Sequence, residues 1–380
     1  MPAFNEFLGP SYRSASYMAD AETCRNFFME KNESAGAETK YVLLPTPGIE
    51  TFCGIAASPM RGGYTCQTVT GERPFVVCGD RLYELTNVVY NTAGQAISCS
   101  AVERGVMGFS ATASASFAWN GDAGNQLLIA DGTGDAYSLD LGTLAFNQEL
   151  TGTATMVAYL SSRGLALDSS TGTLSISDLD DFTTWDPTQI AQNSATADPW
   201  IAMTVIHNEI WLFGTQTSQV WGDTGAFPFP FAPLPGALLE QGIAAPFSWG
   251  HAGTPLAWLG RNEQGLATVW RANGWQAERI STSAIEQAIA SYPVISDATG
   301  WHYSQAGHYF FVLTFPTAEK TWVFDALTNL WHERCYWNRT TGEWEAYRVG
   351  EGFVAFGRNL CGDRSAGTIY RLDTTLATDV

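Results

Sequence analysis

The chain has 380 residues and a formal net charge of −19, from 38 acidic residues against 19 lysines and arginines. With 45% hydrophobic and 13% aromatic residues, it is neither disordered nor fibrous and can bury a large core. No apolar run reaches the roughly 18–20 residues of a membrane span, and so acidic a surface argues against binding nucleic acid through a basic patch.

The first forty residues differ from the rest. They are polar, with scattered Tyr, Phe and Glu and no strand pattern, and the opening residues lack the basic region and apolar stretch of a secretory signal. We therefore predict an irregular N-terminal arm over residues 1–40 and a single body over residues 41–380. Such arms often dock on neighbours in assemblies, although simple fraying explains the composition equally well.

The body repeats one unit, a short β-rich run, a turn of Gly, Asp, Asn or Ser, and a second run. The predicted pairs are Pro74–Cys78 with Arg81–Leu85, Gln126–Ala130 with Asp135–Leu139, Gly164–Asp168 with Thr173–Ser177, Glu209–Gly214 with Gln219–Gly222, Leu256–Gly260 with Ala267–Arg271, Tyr309–Thr314 with Thr321–Asp325, and Gly352–Gly357 with Thr368–Asp373.

These pairs recur roughly every 40–50 residues, the period of four-stranded propeller blades. We predict an all-β fold, a β-propeller of seven blades or alternatively six. A strand near Tyr41–Leu44 or near Ile49–Cys53 would close the ring. The other all-β arrangement considered, a Greek-key sandwich, normally uses fewer residues and closer strand spacing.

Metal and cofactor sites are not indicated. The seven cysteines are widely spaced without Cys-x-x-Cys, which indicates buried thiols in a reducing compartment, and the five histidines form no ligand pair. The acidic run containing Asp178, Asp180, Asp181 and Asp186 offers oxygen ligands for Ca²⁺, but Leu179 and Phe182 interrupt the alternation, so a turn beside a packed Trp185 is the better interpretation.

The segment Phe227–Gly236 has the most unusual composition. Its prolines remove backbone donors, so we predict an extended loop. The residues Phe227, Phe229, Phe231 and Pro233 would form an assembly contact, or the phenylalanines would tuck between blades; the composition leaves both open.

One short inserted helix is predicted over residues 281–290. Ser283 and Glu286 stand at capping-box spacing, Ile285 and Ile289 share a face, and Pro293 ends the segment.

Catalytic motifs are missing from the sequence: it has no Gly-x-Ser-x-Gly, no phosphate-binding loop and no His-Glu-x-x-His. We predict no catalytic residue. The 14 Trp and 14 Tyr support one alternative, a propeller that binds or hydrolyses glycans.

From residue 208 onward the sequence resembles the tail accessory, or packaged-DNA-stabilisation, family of short-tailed bacteriophages. The segments that carry this resemblance are Asn208–Gly214, Pro228–Phe229, Leu239–Ile243, Val269–Arg271, Arg279–Glu286, Gly307–Pro316, Thr321–Asp325 and Trp331–Arg334, with further similarity at Cys78–Tyr83 and Ser177–Leu179.

The resemblance implies a structural protein of the virion, assembled in the host cytoplasm into a ring of usually six copies. Such a ring lies below the portal and its adaptor, extends the DNA channel and retains the packaged genome until ejection. The implied partners are the chain itself, the adaptor, other tail components such as a needle or fibres, and double-stranded DNA passing without sequence-specific binding. The family carries no catalytic residues and no cofactor.

Overall fold

The fold is an all-β propeller of seven blades, as the hairpin period predicts. A computed structural model describes residues 9–13, 21–32, 41–56, 58–108, 113–261, 267–376 of the chain. Seven antiparallel sheets stand around one axis, and we number the blades in chain order and letter their strands A to D from the axis outward.

Blades 1 to 4 each contain four consecutive strands. Their bounds are Met60–Thr68, Gly71–Cys78, Arg81–Tyr90 and Ala96–Val106 in blade 1; Ser116–Trp119, Gln126–Ala130, Gly134–Asp140 and Phe146–Ala154 in blade 2; Met156–Leu160, Arg163–Asp168, Thr173–Leu179 and Asp181–Gln192 in blade 3; and Ala202–Ile206, Glu209–Phe213, Ser218–Asp223 and Phe231–Leu239 in blade 4.

Blades 5 to 7 vary this plan. Their strands are Trp249–His251, Leu256–Arg261, Ala267–Asn273 and Gln276–Arg279 in blade 5; Thr299–Gln305, His308–Phe315, Lys320–Asp325, Leu330–Asn338 and an added strand E, Glu343–Ala346, in blade 6; and Val349–Ala355, Arg358–Asp363, Gly367–Asp373 and Gly48–Ala56 in blade 7.

The ring is closed by the start of the body pairing with its end. Gly48–Ala56 is strand D of blade 7 and pairs antiparallel with Gly367–Asp373, so this strand, and not Tyr41–Pro45, completes the last sheet. The guanidinium of Arg371 also forms an ion pair with Glu50 across this junction. The first and last parts of the body are therefore held in one sheet.

Six of the seven predicted hairpins are strands B and C of blades 1 to 6. These strands are recognisable in the sequence as apolar runs because they are buried between neighbouring strands. In Leu127–Ala130, for example, all side chains are fully buried. The seventh predicted pair is wrong in its pairing, because Gly352–Gly357 overlaps strand A of blade 7 and Thr368–Asp373 lies within strand C. The intervening strand Arg358–Asp363 separates the two.

The part of the arm that the structure describes packs on blade 6. Phe27–Lys31 pairs with Tyr41–Pro45, and a two-residue ladder joins Tyr12–Arg13 to Ala21–Glu22. Residues 24–26 run parallel to strand D of blade 6, where the Glu333 amide donates to the Cys24 carbonyl at 2.9 Å. The arm thus covers a sheet edge that would otherwise be open.

The inserted helix spans Ser283–Ala290, between blades 5 and 6. Its N-cap is Thr282, whose side chain accepts from the Ile285 amide, so the predicted capping box on Ser283 is wrong by one residue. Ile285 and Ile289 are both buried, in one cluster with residues of blades 5 and 6, as predicted from their spacing. Glu286 instead accepts from Ser281 and Arg279, which ties the helix to the end of blade 5.

Candidate functional site

The inner A strands of all seven blades surround one cavity of about 420 Å³ on the propeller axis. Aromatic side chains narrow it, among them Tyr64, Phe117, Trp119, Tyr159, Trp249 and Trp301. Its size falls within the range of about 300–1,000 Å³ that is typical of small-molecule pockets. A DNA duplex does not fit into this cavity, because the duplex is wider than its major groove and that groove alone is about 12 Å wide. The axis of a single propeller is therefore not a path for double-stranded DNA.

Glu351 at this cavity and the nearby Arg61 join blades to one another. The Ser114 hydroxyl donates to Glu351 at 2.5 Å, which links blade 2 to blade 7. Burial raises the pKa of Glu351 to about 7, while Ser114 and the positive charge of Arg61 act in the opposite direction. The Arg61 guanidinium donates to the Ala113 carbonyl at 2.7 Å and to the Asp131 carbonyl, and so fastens blade 1 to blade 2.

Two histidines line the same cavity. The rings of His251 and His302 meet edge to face, with centroids 4.8 Å apart. Burial, helped by the neighbouring His251, lowers the pKa of His302 to about 4, so the imidazole is neutral at pH 7. Among the described residues, no three His, Cys, Asp or Glu side chains come together as metal ligands.

The predicted contact segment divides between surface and core. Phe227 projects from the loop between strands C and D of blade 4, with 93% of its side chain exposed. Phe231 is buried, and Phe229 is half-buried against Phe231 and Trp221. Pro233 lies exposed on outer strand D, Phe231–Leu239, so the predicted extended loop over Phe227–Gly236 is wrong from Phe231 onward, where an edge strand tolerates the prolines. The role of the segment in assembly stays a prediction, now concentrated on Phe227.

The acidic run of blade 3 forms two turns. Asp181 accepts from the Thr183 amide at 2.9 Å, and Asp186 accepts from the Thr188 amide at 2.8 Å. Trp185 donates its indole N–H to the Phe182 carbonyl at 2.7 Å, so it is fixed to the turn as expected. The carboxylates thus bind their own backbone.

This use of aspartate recurs around the propeller and accounts for part of the acidic surplus. Among the residues that the structure describes, nine aspartates accept from the backbone N–H two residues later: Asp131, Asp140, Asp168, Asp181, Asp186, Asp223, Asp325, Asp363 and Asp373. Six of them stand two residues before Ser or Thr, and that Asp-x-Ser/Thr spacing was the available sequence clue. Sequence reasoning missed it by treating charge only as a property of the surface.

The sequence matches the protein family described as "Bacteriophage P22 Gp10, beta-propeller" over residues 11–377. The chain belongs to this family. It is a family of bacteriophage virion tail proteins with a structural role, and membership supports a function in stabilising packaged DNA. The resemblance found in the sequence is thereby confirmed. No curated protein matches the chain.

Solved structures with a similar outline are distant. BamB from Moraxella catarrhalis is 11% identical with a TM-score of 0.46, covering 87% of this chain and 91% of its own. The computationally designed Ika8 protein is 10% identical with a TM-score of 0.45, covering 85% of this chain and 99% of its own. Within the part of the chain that the structure describes, no helix has the length and apolarity to cross a membrane.

Proposed function

We propose that copies of this chain form a ring in the phage tail, below the portal and its adaptor. The ring extends the DNA channel, retains the packaged genome and conducts it during ejection. The observation that carries the proposal is the occluded propeller axis in a member of this tail family. Because DNA cannot pass through one propeller, a channel needs several copies arranged around a second axis. The expected number of six comes from the family resemblance.

The charge of the chain suits a conduit. A wall that neutralised phosphates would hold DNA, since each neutralised phosphate strengthens binding by releasing counterions. A chain in which 38 acidic residues outnumber 19 lysines and arginines, for a net charge of −19, offers few such contacts. At physiological salt the repulsion reaches only about 8 Å, so the wall acts on DNA that passes close to it.

The proposed role is structural and requires no catalytic group, in agreement with the character of the family. Its partners would be other copies of the chain, the portal-adaptor and further tail components such as a needle or fibres. Duplex DNA would pass the ring without sequence-specific contacts.

The proposal is tested by measuring the oligomeric state of the purified chain alone and with the adaptor ring. We expect a closed ring in the presence of the adaptor. A chain that stays monomeric under both conditions, or that binds duplex DNA tightly with a steep salt dependence, would overturn it. Virions assembled without the chain should package DNA and then lose it.

A further inference from the structure

One loop of blade 4 forms a rigid projection. Residues Asp223–Pro228 are all exposed, and they lie between strands C and D. The Pro230 carbonyl closes the loop by accepting from the Thr224 amide at 2.7 Å and from its hydroxyl at 2.8 Å. Phe229 anchors it on Trp221. Phe227 therefore stands out on a supported base, and we call Asp223–Pro228 the knob.

A pocket of about 300 Å³ lies at the rim of blade 6, between the arm and strands D and E. Its walls come from three separate segments, residues 25–27, 45–48 and 334–344. Trp337 and Trp344 form an edge-to-face pair with centroids 4.9 Å apart, and they are 43% and 47% exposed. We call this pocket the socket.

Arginine gives the socket a distinct character within an acidic chain. Arg25 lies over the Trp344 ring, 5.7 Å from its centroid, and Arg339 is exposed at the rim. Among the residues that the structure describes, no carboxylate lines the pocket itself, and Arg25 is paired at 2.8 Å with Glu333 of strand D. Within the described residues, Arg339 has no ion-pair partner. Two large exposed aromatic rings beside an unpaired guanidinium are the kind of surface that another protein surface can cover.

The chemistry of the knob matches that of the socket. Phe227 and Pro228 are apolar, and hydrogen bonds between Thr224 and Pro230 already close the backbone that carries them, so little backbone entropy is lost when they are buried. Aromatic-lined grooves are the usual receptors of proline-containing extended segments. Asp223 stands exposed at the base of the knob, where its carboxylate can meet Arg339.

Knob and socket lie on opposite faces of the propeller. In each four-stranded blade the A–B and C–D turns lie on one face, and the B–C turns and the ends of the D strands lie on the other. The knob is a C–D turn, whereas Trp337 is near the end of strand D. One chain therefore cannot fill its own socket. A contact between two different surfaces propagates from copy to copy and gives a ring if the rotation closes.

We propose that the knob of one copy inserts into the socket of a second copy, with Phe227 and Pro228 packed on Trp337 and Trp344 and Asp223 beside Arg339. This contact deepens the proposed function, since it rests on the chain assembling with itself. It assigns the self-contact of the ring to the arm-covered rim of blade 6 and the outer loop of blade 4.

The test uses two variants of the full chain, Phe227→Ser in the knob and Trp344→Ser in the socket. Each should weaken self-association at least about thirty-fold, the loss typical of a truncated central aromatic at an interface. Val69→Ser is the control for the knob, because Val69 is 85% exposed in a turn on the same face of blade 1. Val106→Ser, at the exposed end of strand D in blade 1, is the control for the socket.

Mixing the variants gives the sharper result. An equimolar mixture should yield a species of two subunits and nothing larger, because the Trp344→Ser chain keeps a knob and the Phe227→Ser chain keeps a socket. Mass photometry would resolve this two-subunit species.

A second pair of variants checks the charged contact: Asp223→Arg and Arg339→Glu should each weaken assembly, and their combination in one chain should restore it. Circular dichroism verifies the fold of every variant.

Wild-type protein that assembles while Phe227→Ser and Trp344→Ser assemble equally well would overturn this contact and leave the proposed ring intact. Wild-type protein that stays monomeric with and without the adaptor would overturn both. Loss of assembly in the Val69→Ser control to the same extent as in Phe227→Ser would also contradict the assignment.

Discussion

Asn26 of the arm holds Cys335 of blade 6 with its side chain at both backbone groups. The Asn26 amide Nδ2 donates to the Cys335 carbonyl at 2.8 Å, and its Oδ1 accepts from the Cys335 N–H at 3.0 Å. One side chain thereby takes the place of a neighbouring strand at the edge of the sheet. It also fixes the arm at the point where the socket begins.

Replacement of Asn26 by Ala should loosen the arm. The two lost hydrogen bonds are worth about 1–3 kcal/mol together, since each contributes roughly 0.5–1.5 kcal/mol. Hydrogen exchange should increase over residues 24–31 and 333–335, and the urea midpoint should fall. Asn359→Ala, which removes one exposed hydrogen bond to the Ser304 carbonyl, is the control. Unchanged protection of the arm in Asn26→Ala would contradict the role of this contact.

Asp198 should be among the most important carboxylates of the fold. It accepts five hydrogen bonds, from the amides and hydroxyls of Thr215 and Thr217 and from the Gln216 amide, at 2.8–3.0 Å. Burial opposes its ionisation, but the backbone donors outweigh it and hold its pKa below the usual range. Asp198→Ala leaves these donors unpaired and should cost about 2–4 kcal/mol of unfolding free energy.

The comparison for Asp198→Ala is Asp186→Ala, which removes an exposed carboxylate from a turn of the same kind. Urea unfolding measures both variants. We expect a loss several times larger at Asp198. Equal effects would mean that the backbone hydrogen bonds at Asp198 add little beyond those of an ordinary turn.

Stability should fall on acidification in two stages. Burial lowers the pKa of His302 to about 4 and that of His332 to about 3, so the unfolded chain binds more protons below its ordinary histidine pKa near 6.5. The loss of stability therefore begins as the pH falls below about 6.5. Below about pH 4 the turn carboxylates follow, since hydrogen bonds outweigh burial and hold the pKa of Asp168 and Asp373 below its usual range.

Glu351 acts in the opposite direction. Its pKa is raised to about 7 by burial, so its protonated form is favoured in the folded chain and its contribution to stability is lost as the pH rises through 7. Urea midpoints from pH 3 to pH 8.5 should therefore show a maximum near neutrality. His302→Gln should flatten the curve between pH 4 and 6.5. A profile unchanged by that substitution would contradict the assignment of the first stage to His302.

Truncation separates the arm from the ring. Removal of residues 1–47 takes away the arm and leaves Gly48–Ala56 paired with Gly367–Asp373, so a folded propeller should remain, less stable because the edge of blade 6 is uncovered. Removal of residues 1–56 also deletes strand D of blade 7 and should abolish cooperative unfolding. Circular dichroism and thermal melts compare the two. If both truncated chains lost cooperative unfolding to the same extent, the prediction would be wrong, and the arm would be part of the folding unit of the body.

The sequence was most informative where a strand is buried by its own blade. Strands B and C have continuous apolar runs, as in Tyr309–Thr314, and these runs predicted the propeller. Most A and D strands were missed because their residues are set by other blades and by solvent, as in Asp181–Gln192, which carries a proline in an outer strand. In blade 7, strand D had been expected near Ile49–Cys53, and only part of strand A was predicted. The pairing of Gly48–Ala56 with the last strand spans over 300 residues and leaves no local pattern.

The candidate contact was only half visible in the sequence. Phe227 stood out because it belongs to one short segment, Phe227–Gly236, that is rich in proline and phenylalanine. The socket did not, because Phe27, Pro45 and Trp344 lie far apart in the chain and meet only when the arm packs on blade 6. Phe227 is exposed and Phe231 is buried. The sequence around the two residues does not indicate which of them is at the surface.

The central claim is that DNA passes between copies of this chain and not through its propeller. Imaging of the virion tail by electron cryo-microscopy tests it most directly, at a resolution that places single blades. We expect a ring of propellers below the adaptor, with DNA density in the lumen between subunits and the cavity bounded by Trp119, Trp249 and Trp301 free of DNA. DNA density that threads this cavity, or a tail in which the chain forms no ring, would contradict it.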